Sequence, residues 1–205
     1  RGRFDKVGVL GHSEGGTIAL MLAAEKKADF IVCLAGMVVS GAETLVSQNR
    51  SALLLAGVPE EVTEEYCRLL EKAFDVQVNG GMMPDPDDYN LPKELKQNYQ
   101  AVLNQVRTPY LSKLLTLDVR PLLADITCPV LALNGTKDIQ VDHESNLDAL
   151  RNGLKASDAN HIEAIEGANH LLQNCMTGAV TEYRTIEDTI SPKVLETVIA
   201  WLSAL

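Results

Sequence analysis

Val7-Gly8-Val9-Leu10-Gly11-His12-Ser13-Glu14-Gly15-Gly16-Thr17-Ile18-Ala19-Leu20 compresses a strand, a turn and a helix start into one stretch. Val7 to Leu10 is a short apolar run with β-branched residues, which reads as a buried strand. From Thr17 to Lys27 the chain turns to Ala, Leu and Met, good helix formers, and ends in Glu25-Lys26-Lys27, whose lysines suit the negative helix end. Between them, Gly11-His12-Ser13-Glu14-Gly15 fits the pattern G-x-S-x-G. Three fixed positions are a weak signal alone, but a strand before and a helix after describe a serine raised on a tight turn. The expected reason for Gly11 and Gly15 is steric: without side chains they let the backbone pass close by. Ser13 would then stand clear of the sheet at a helix N-terminus, where the backbone N–H of Glu14 can point at a developing oxyanion. A serine that merely caps a helix behind a glycine turn is the plainer alternative at this point.

The same alternation continues downstream. Phe30 to Ala35, Val130 to Leu133 and Ile162 to Ile165 are further short apolar runs. The last two are followed by helical patterns over Ser145 to Leu154 and Pro192 to Leu205. In the final helix Val194, Leu195, Val198, Ile199 and Leu202 recur at helical spacing, which predicts one buried face. Continuously apolar strands alternating with helices predict an α/β fold, with a parallel sheet covered by helices on both faces. Residues 40–125 are too long for a simple crossover. Pro59-Glu60-Glu61 opens one helix there, with Val62, Tyr66, Leu69, Leu70 and Ala73 on a shared face. Two more helical patterns run over Pro92 to Val106 and Pro109 to Leu117, so 40–125 is expected to be a helical cap inserted into a sheet domain of residues 1–39 and 126–205.

Composition narrows the partners. The 205 residues carry 18 Lys+Arg against 28 Asp+Glu, a net charge of -10, which disfavours nucleic acid and anionic membrane surfaces. Ile18 to Ala24, the longest apolar stretch, is far short of the roughly 20 residues of a membrane span. Cys33, Cys67, Cys128 and Cys175 share no metal-like spacing and read as buried free thiols. Asp142-His143-Glu144 and Asp85, Asp87 and Asp88 read as a solvated helix start and a solvated loop, so no metal or organic cofactor is expected.

Two further segments bear on Ser13. Asn134-Gly135-Thr136-Lys137-Asp138 follows the third strand, and Gly167-Ala168-Asn169-His170 follows the fourth. Both loops fall at the carboxyl edge of the sheet, where open α/β sheets gather their functional groups. Together with the elbow segment they resemble the α/β-hydrolase superfamily, in particular its capped carboxylesterase-like and serine-peptidase-like bacterial members. The order Ser, Asp, His is that superfamily's order. The likeness extends over nearly the whole chain.

That resemblance implies Ser13 as nucleophile, His170 as general base, Asp138 as the residue orienting His170, and a small-molecule acyl substrate. It implies acyl transfer through a serine-bound intermediate on carboxylic esters, with peptides or thioesters as variants of the same chemistry. Met37, at the end of the second strand, is a candidate for lining an acyl pocket. His12, flanking the nucleophile, is expected to pack or hydrogen-bond rather than act as base. The superfamily's earlier strands, with the loop giving a second oxyanion donor, precede the elbow strand. The four strands present are therefore expected to form a half-sheet whose open edge pairs with that N-terminal half or with a second copy. Poor hydrolysis of p-nitrophenyl esters by this chain alone is the corresponding expectation, and a non-catalytic hydrolase-like module is the alternative reading.

Overall fold

The computed structural model describes residues 4–205. Four strands, β1 (Val9–His12), β2 (Ile31–Leu34), β3 (Val130–Gly135) and β4 (His161–Ile165), form one sheet in the order β1-β2-β3-β4. All three pairings are parallel, with Gly11 beside Cys33 and Cys33 beside Ala132. Every residue of β2 and β3 is buried, as two covered faces require. Helix α1 (Glu14–Ala24) lies behind β1 and β2, where Gly16 meets the Cys33 sulfur. The other face carries Val32, Leu34, Leu131, Leu133 and Ile165, which pack against Val194 of the final helix.

Strand β1 departs from the expectation of a buried strand. It begins two residues later than the apolar run, its burial alternates, and Leu10 is 59% exposed. The physical reason is that β1, an edge strand, is covered on one face: α1 packs on the side of Gly11 and Cys33, and Leu10 points to the opposite side with Val32.

Four helices make up the insert: α2 (Gly41–Leu55), α3 (Glu60–Asn79), α4 (Lys93–Val106) and α5 (Pro109–Leu115). Tyr66, Leu69, Leu70 and Ala73 of α3 are fully buried with Tyr99 of α4, forming this unit's own core. Helix α2 was not anticipated from the sequence, although its start is written there. The Ser40 hydroxyl accepts from the Glu43 N–H while the Glu43 carboxylate accepts from the Ser40 N–H, a reciprocal cap. The compact units are Ser40–Leu117 and a sheet unit of Asp118–Leu205 with the residues up to Val39. Residues 118–125 therefore belong with the sheet rather than with the insert. Val119 and Leu123 are buried there, and Leu123 fills the space beside Gly153 of the helix following β3, α6 (His143–Gly153).

The final helix, α7 (Pro192–Ser203), corrects a second expectation. Val194, Val198 and Trp201 face the sheet, and the Trp201 indole N–H donates to the Ala159 carbonyl. Leu195, Ile199 and Leu202 are instead 47%, 64% and 39% exposed, so the helix buries only part of its apolar surface among the described residues. Within the same residues no helix is long and apolar enough to cross a membrane.

Candidate active site

Ser13 joins β1 to α1 with φ 54° and ψ −123°, a left-handed conformation that non-glycine residues rarely adopt. The strain is held from both sides. The Ser13 N–H donates to the Leu34 carbonyl of β2 at 2.8 Å, and the Ser13 carbonyl accepts from the N–H groups of Gly16 and Thr17. A β-carbon at Gly11 would lie 1.9 Å from the Gly15 carbonyl oxygen, so only glycine fits at Gly11. The steric reason expected for Gly15 does not hold: a β-carbon there would meet nothing within 4 Å. Gly16 is the tighter position, where a β-carbon would lie 3.0 Å from the Gly36 α-carbon and 3.1 Å from the Cys33 sulfur. Cys33 is enclosed behind the turn, and burial pushes its thiol up to about 12.

Glu14 opens α1 immediately after Ser13, so its N–H lies in the helix's first turn. That turn is the positive end of the helix dipole.

Asp138 follows β3 on a turn closed by its own N–H bonding to the Gly135 carbonyl. Its Oδ1 accepts the backbone N–H groups of Gln140 and Val141 at 2.8 and 2.9 Å. That fixes the carboxylate so that Oδ2 meets His170 Nδ1 at 2.8 Å. The His170 side chain is 7% exposed and that of Asp138 fully buried. A carboxylate only accepts, so Nδ1 carries the imidazole hydrogen and Nε2 presents its lone pair. Ser13 Oγ lies 3.0 Å from that Nε2 and donates to it. Three side chains from β1, β3 and β4 thus meet at one rim of the sheet.

The loop carrying His170 is braced by residues the sequence reading passed over. Asn169 is fully buried; its amide oxygen accepts the Leu171 and Gln173 N–H groups at 3.0 Å each, and its amide nitrogen donates to Gln173 Oε1. Gln173 in turn donates to the Asp188 carbonyl. Thr136 and Lys137 then join the two loops: Gly167 N–H donates to Thr136 Oγ1, Lys137 N–H to the Ala168 carbonyl, and Lys137 Nζ to the Met176 carbonyl. A β-carbon at Gly135 would lie 2.1 Å from the Ala168 carbonyl oxygen, a second place where only glycine fits. Asn169 stood in view beside His170 in the quoted motif. A buried amide able to satisfy several backbone groups was the signal to follow.

Met37 is buried, 6% exposed, with its carbonyl accepting from Thr17 Oγ1 at 2.9 Å. His12 lies beside the array, with Nε2 2.7 Å from the His170 carbonyl oxygen. Asp142 caps α6 by accepting from the Ser145 N–H, as a helix start predicts. Among the described residues no group of three His, Cys, Asp or Glu side chains is placed to hold a metal ion.

The parallel half-sheet with helices on both faces, and a serine turn followed by an aspartate loop and a histidine loop, defines the α/β-hydrolase fold. Residues 3–177 match the family described as BAAT / acyl-CoA thioester hydrolase C terminal, and the chain belongs to that family. The narrower likeness drawn from the sequence was to esterase-like and peptidase-like members, whereas the matching family is described by thioester hydrolysis. No curated protein matches in sequence. Solved structures similar to the chain include VinJ, 17% identical with a TM-score of 0.47, matched over 96% of this chain and 65% of that one. Proline iminopeptidase of Mycobacterium smegmatis is 15% identical with a TM-score of 0.46, over 96% and 66%. The meta-cleavage product hydrolase CumD of Pseudomonas fluorescens IP01, in a serine-to-alanine mutant form complexed with acetates, is 12% identical with a TM-score of 0.47, over 98% and 65%. The chain spans just under two thirds of the length of these proteins.

Proposed function

We propose that the protein transfers acyl groups to water by a serine mechanism, acting on carboxylic esters or thioesters. His170 Nε2 takes the Ser13 proton as Oγ attacks the acyl carbonyl, and Asp138 holds the imidazole that becomes positive. The tetrahedral oxyanion forms beside the Glu14 N–H. Collapse breaks the bond to the alkoxide or thiolate, which leaves with the proton held by His170. Water, deprotonated by the same imidazole, then releases the acid and restores Ser13. The observation carrying this reading is the continuous relay of 3.0 Å from Ser13 to His170 and 2.8 Å from His170 to Asp138. The family's description favours the thioester as substrate. Met37, next to the elbow's partner strand, contributes apolar surface toward the acyl chain.

The open edge of β1 belongs to the same reading. On this reading a further strand pairs there and brings the loop with the second oxyanion donor. Support comes from the side of β1 away from β2, where no described strand pairs.

A fluorophosphonate probe tests the reading, because it phosphonylates only a serine whose proton has a working acceptor. Labelling confined to Ser13 and abolished in Ser13→Ala is the expected result. Absence of labelling in the unaltered protein contradicts it.

A further inference from the structure

His12 is the last residue of β1 and sits between Gly11 and Ser13, so its main chain is part of the turn that presents the nucleophile. Its side chain reaches a residue far away in sequence: Nε2 lies 2.7 Å from the His170 carbonyl oxygen. The two imidazole centroids are 4.9 Å apart with planes inclined by 50°. A carbonyl oxygen only accepts, so the contact requires the hydrogen of His12 to be on Nε2. The Ser13 hydroxyl meets the Nε2 of His170 instead, at 3.0 Å, so the His12 ring is engaged with the main chain of His170 while the His170 ring is engaged with the serine.

The bonds from Gly167 to Thr136, from Lys137 to Ala168 and between His170 and Asp138 tie the His170 loop to the loop after β3. The His12 bond runs to β1 and holds His170 to the strand that carries Ser13. The two distances of the relay are therefore set by different hydrogen bonds. Proton transfer is steep in the separation of donor and acceptor, and small misplacements cost large factors in rate.

We propose that His12 is a positioning residue: its Nε2–H grips the His170 carbonyl and keeps the His170 imidazole within hydrogen-bond reach of the Ser13 hydroxyl. It touches neither the acyl group nor the proton in transit. This rests on the serine mechanism given above and adds the residue that registers base to nucleophile.

The test compares His12→Phe, which keeps a ring of similar size without a donor, with His12→Gln, whose amide nitrogen reaches the position of Nε2. The readouts are the fluorophosphonate labelling rate of Ser13 and the kcat and KM for an acyl thioester. H12F is expected to label about tenfold more slowly, the scale of one lost neutral hydrogen bond, with kcat reduced and KM unchanged. H12Q is expected to recover to within about threefold of the unaltered protein. H12F labelling at the unaltered rate, or H12Q as slow as H12F, overturns the proposal while leaving the serine mechanism standing. Nitrogen-15 spectra of the unaltered protein give a reading independent of labelling and of variant folding. His12 protonated on Nε2 supports the bond, and His12 protonated on Nδ1 alone overturns it. Failure of the unaltered protein to label contradicts the serine mechanism instead, and the tautomer then decides whether this link exists.

Discussion

The loops bearing Asp138 and His170 and the strand bearing Ser13 are finished to different degrees. Asp138 and His170 are nearly enclosed, their polar atoms are matched, and Thr136, Lys137, Asn169 and Gln173 lock one loop to the other. Ser13 leaves β1, the open edge of the sheet, where alternate residues face away from any described neighbour. Asp138 and His170 are thus held together by bonds within this chain, whereas Ser13 stands on a strained turn whose main chain is held by bonds to β2 and within α1. The open edge is where the proposed reading adds a further strand.

The contrast can be broken most sharply at the glycines. Gly11→Ala is expected to cost about 3 kcal/mol or more, because the new methyl group would collide with backbone that cannot yield. Gly15→Ala is the matched control, expected to change stability by well under 1 kcal/mol in either direction, since its site is open. Denaturant midpoints of the two variants measure the difference, and equal midpoints would show that the turn is not held as described.

A smaller effect sharpens the other side. Asn169→Ala strands the buried Gln173 N–H, the part-buried Leu171 N–H and the Gln173 amide oxygen, and should destabilise by about 2 kcal/mol. Amide exchange should rise at Leu171 and Gln173 and stay unchanged along β1. An equal rise along β1 would mean that the two regions are not independent.

Smallest is the far edge, β4. Glu163 accepts from His161 and pairs with Lys193, and these hydrogen bonds, His161 first, hold its carboxyl below the usual range. A carboxyl lowered on folding adds stability that is complete above the unfolded pKa and lost as pH falls through the folded one. Glu163→Gln should therefore lower stability at neutral pH by about 0.5 kcal/mol, typical of a surface pair, and flatten the acid limb. An unchanged acid limb contradicts this assignment.

Much of this architecture could be read from residues alone. Apolar runs at Phe30 to Ala35 and Val130 to Leu133 gave buried parallel strands because strands covered on both faces have no polar alternation to confuse them. The expectation for Ser13, Asp138 and His170 came from their places in the segments after three parallel strands, whose ends share one rim, and the structure puts the three side chains within hydrogen-bond reach of one another. The exposure of Leu10, Leu195, Ile199 and Leu202 was not legible: hydrophobic spacing records which surface is suited to burial, not whether anything described covers it. Helix α2 escaped because its composition is weakly amphipathic and its signal lies in two capping residues. The Asn169 brace escaped because a buried amide in a loop has no periodicity, only geometry.

The relay itself is tested most directly by comparing Asp138→Asn with the unaltered protein in fluorophosphonate labelling of Ser13. The amide keeps the size of the carboxylate but can donate, which turns the His170 hydrogen onto the nitrogen facing Ser13 and removes the acceptor. A fall in labelling rate on the order of 10³-fold or more, with the denaturation midpoint shifted only modestly, is the predicted result. Labelling at an undiminished rate in that variant would mean that Ser13 is activated by something other than the imidazole beside it.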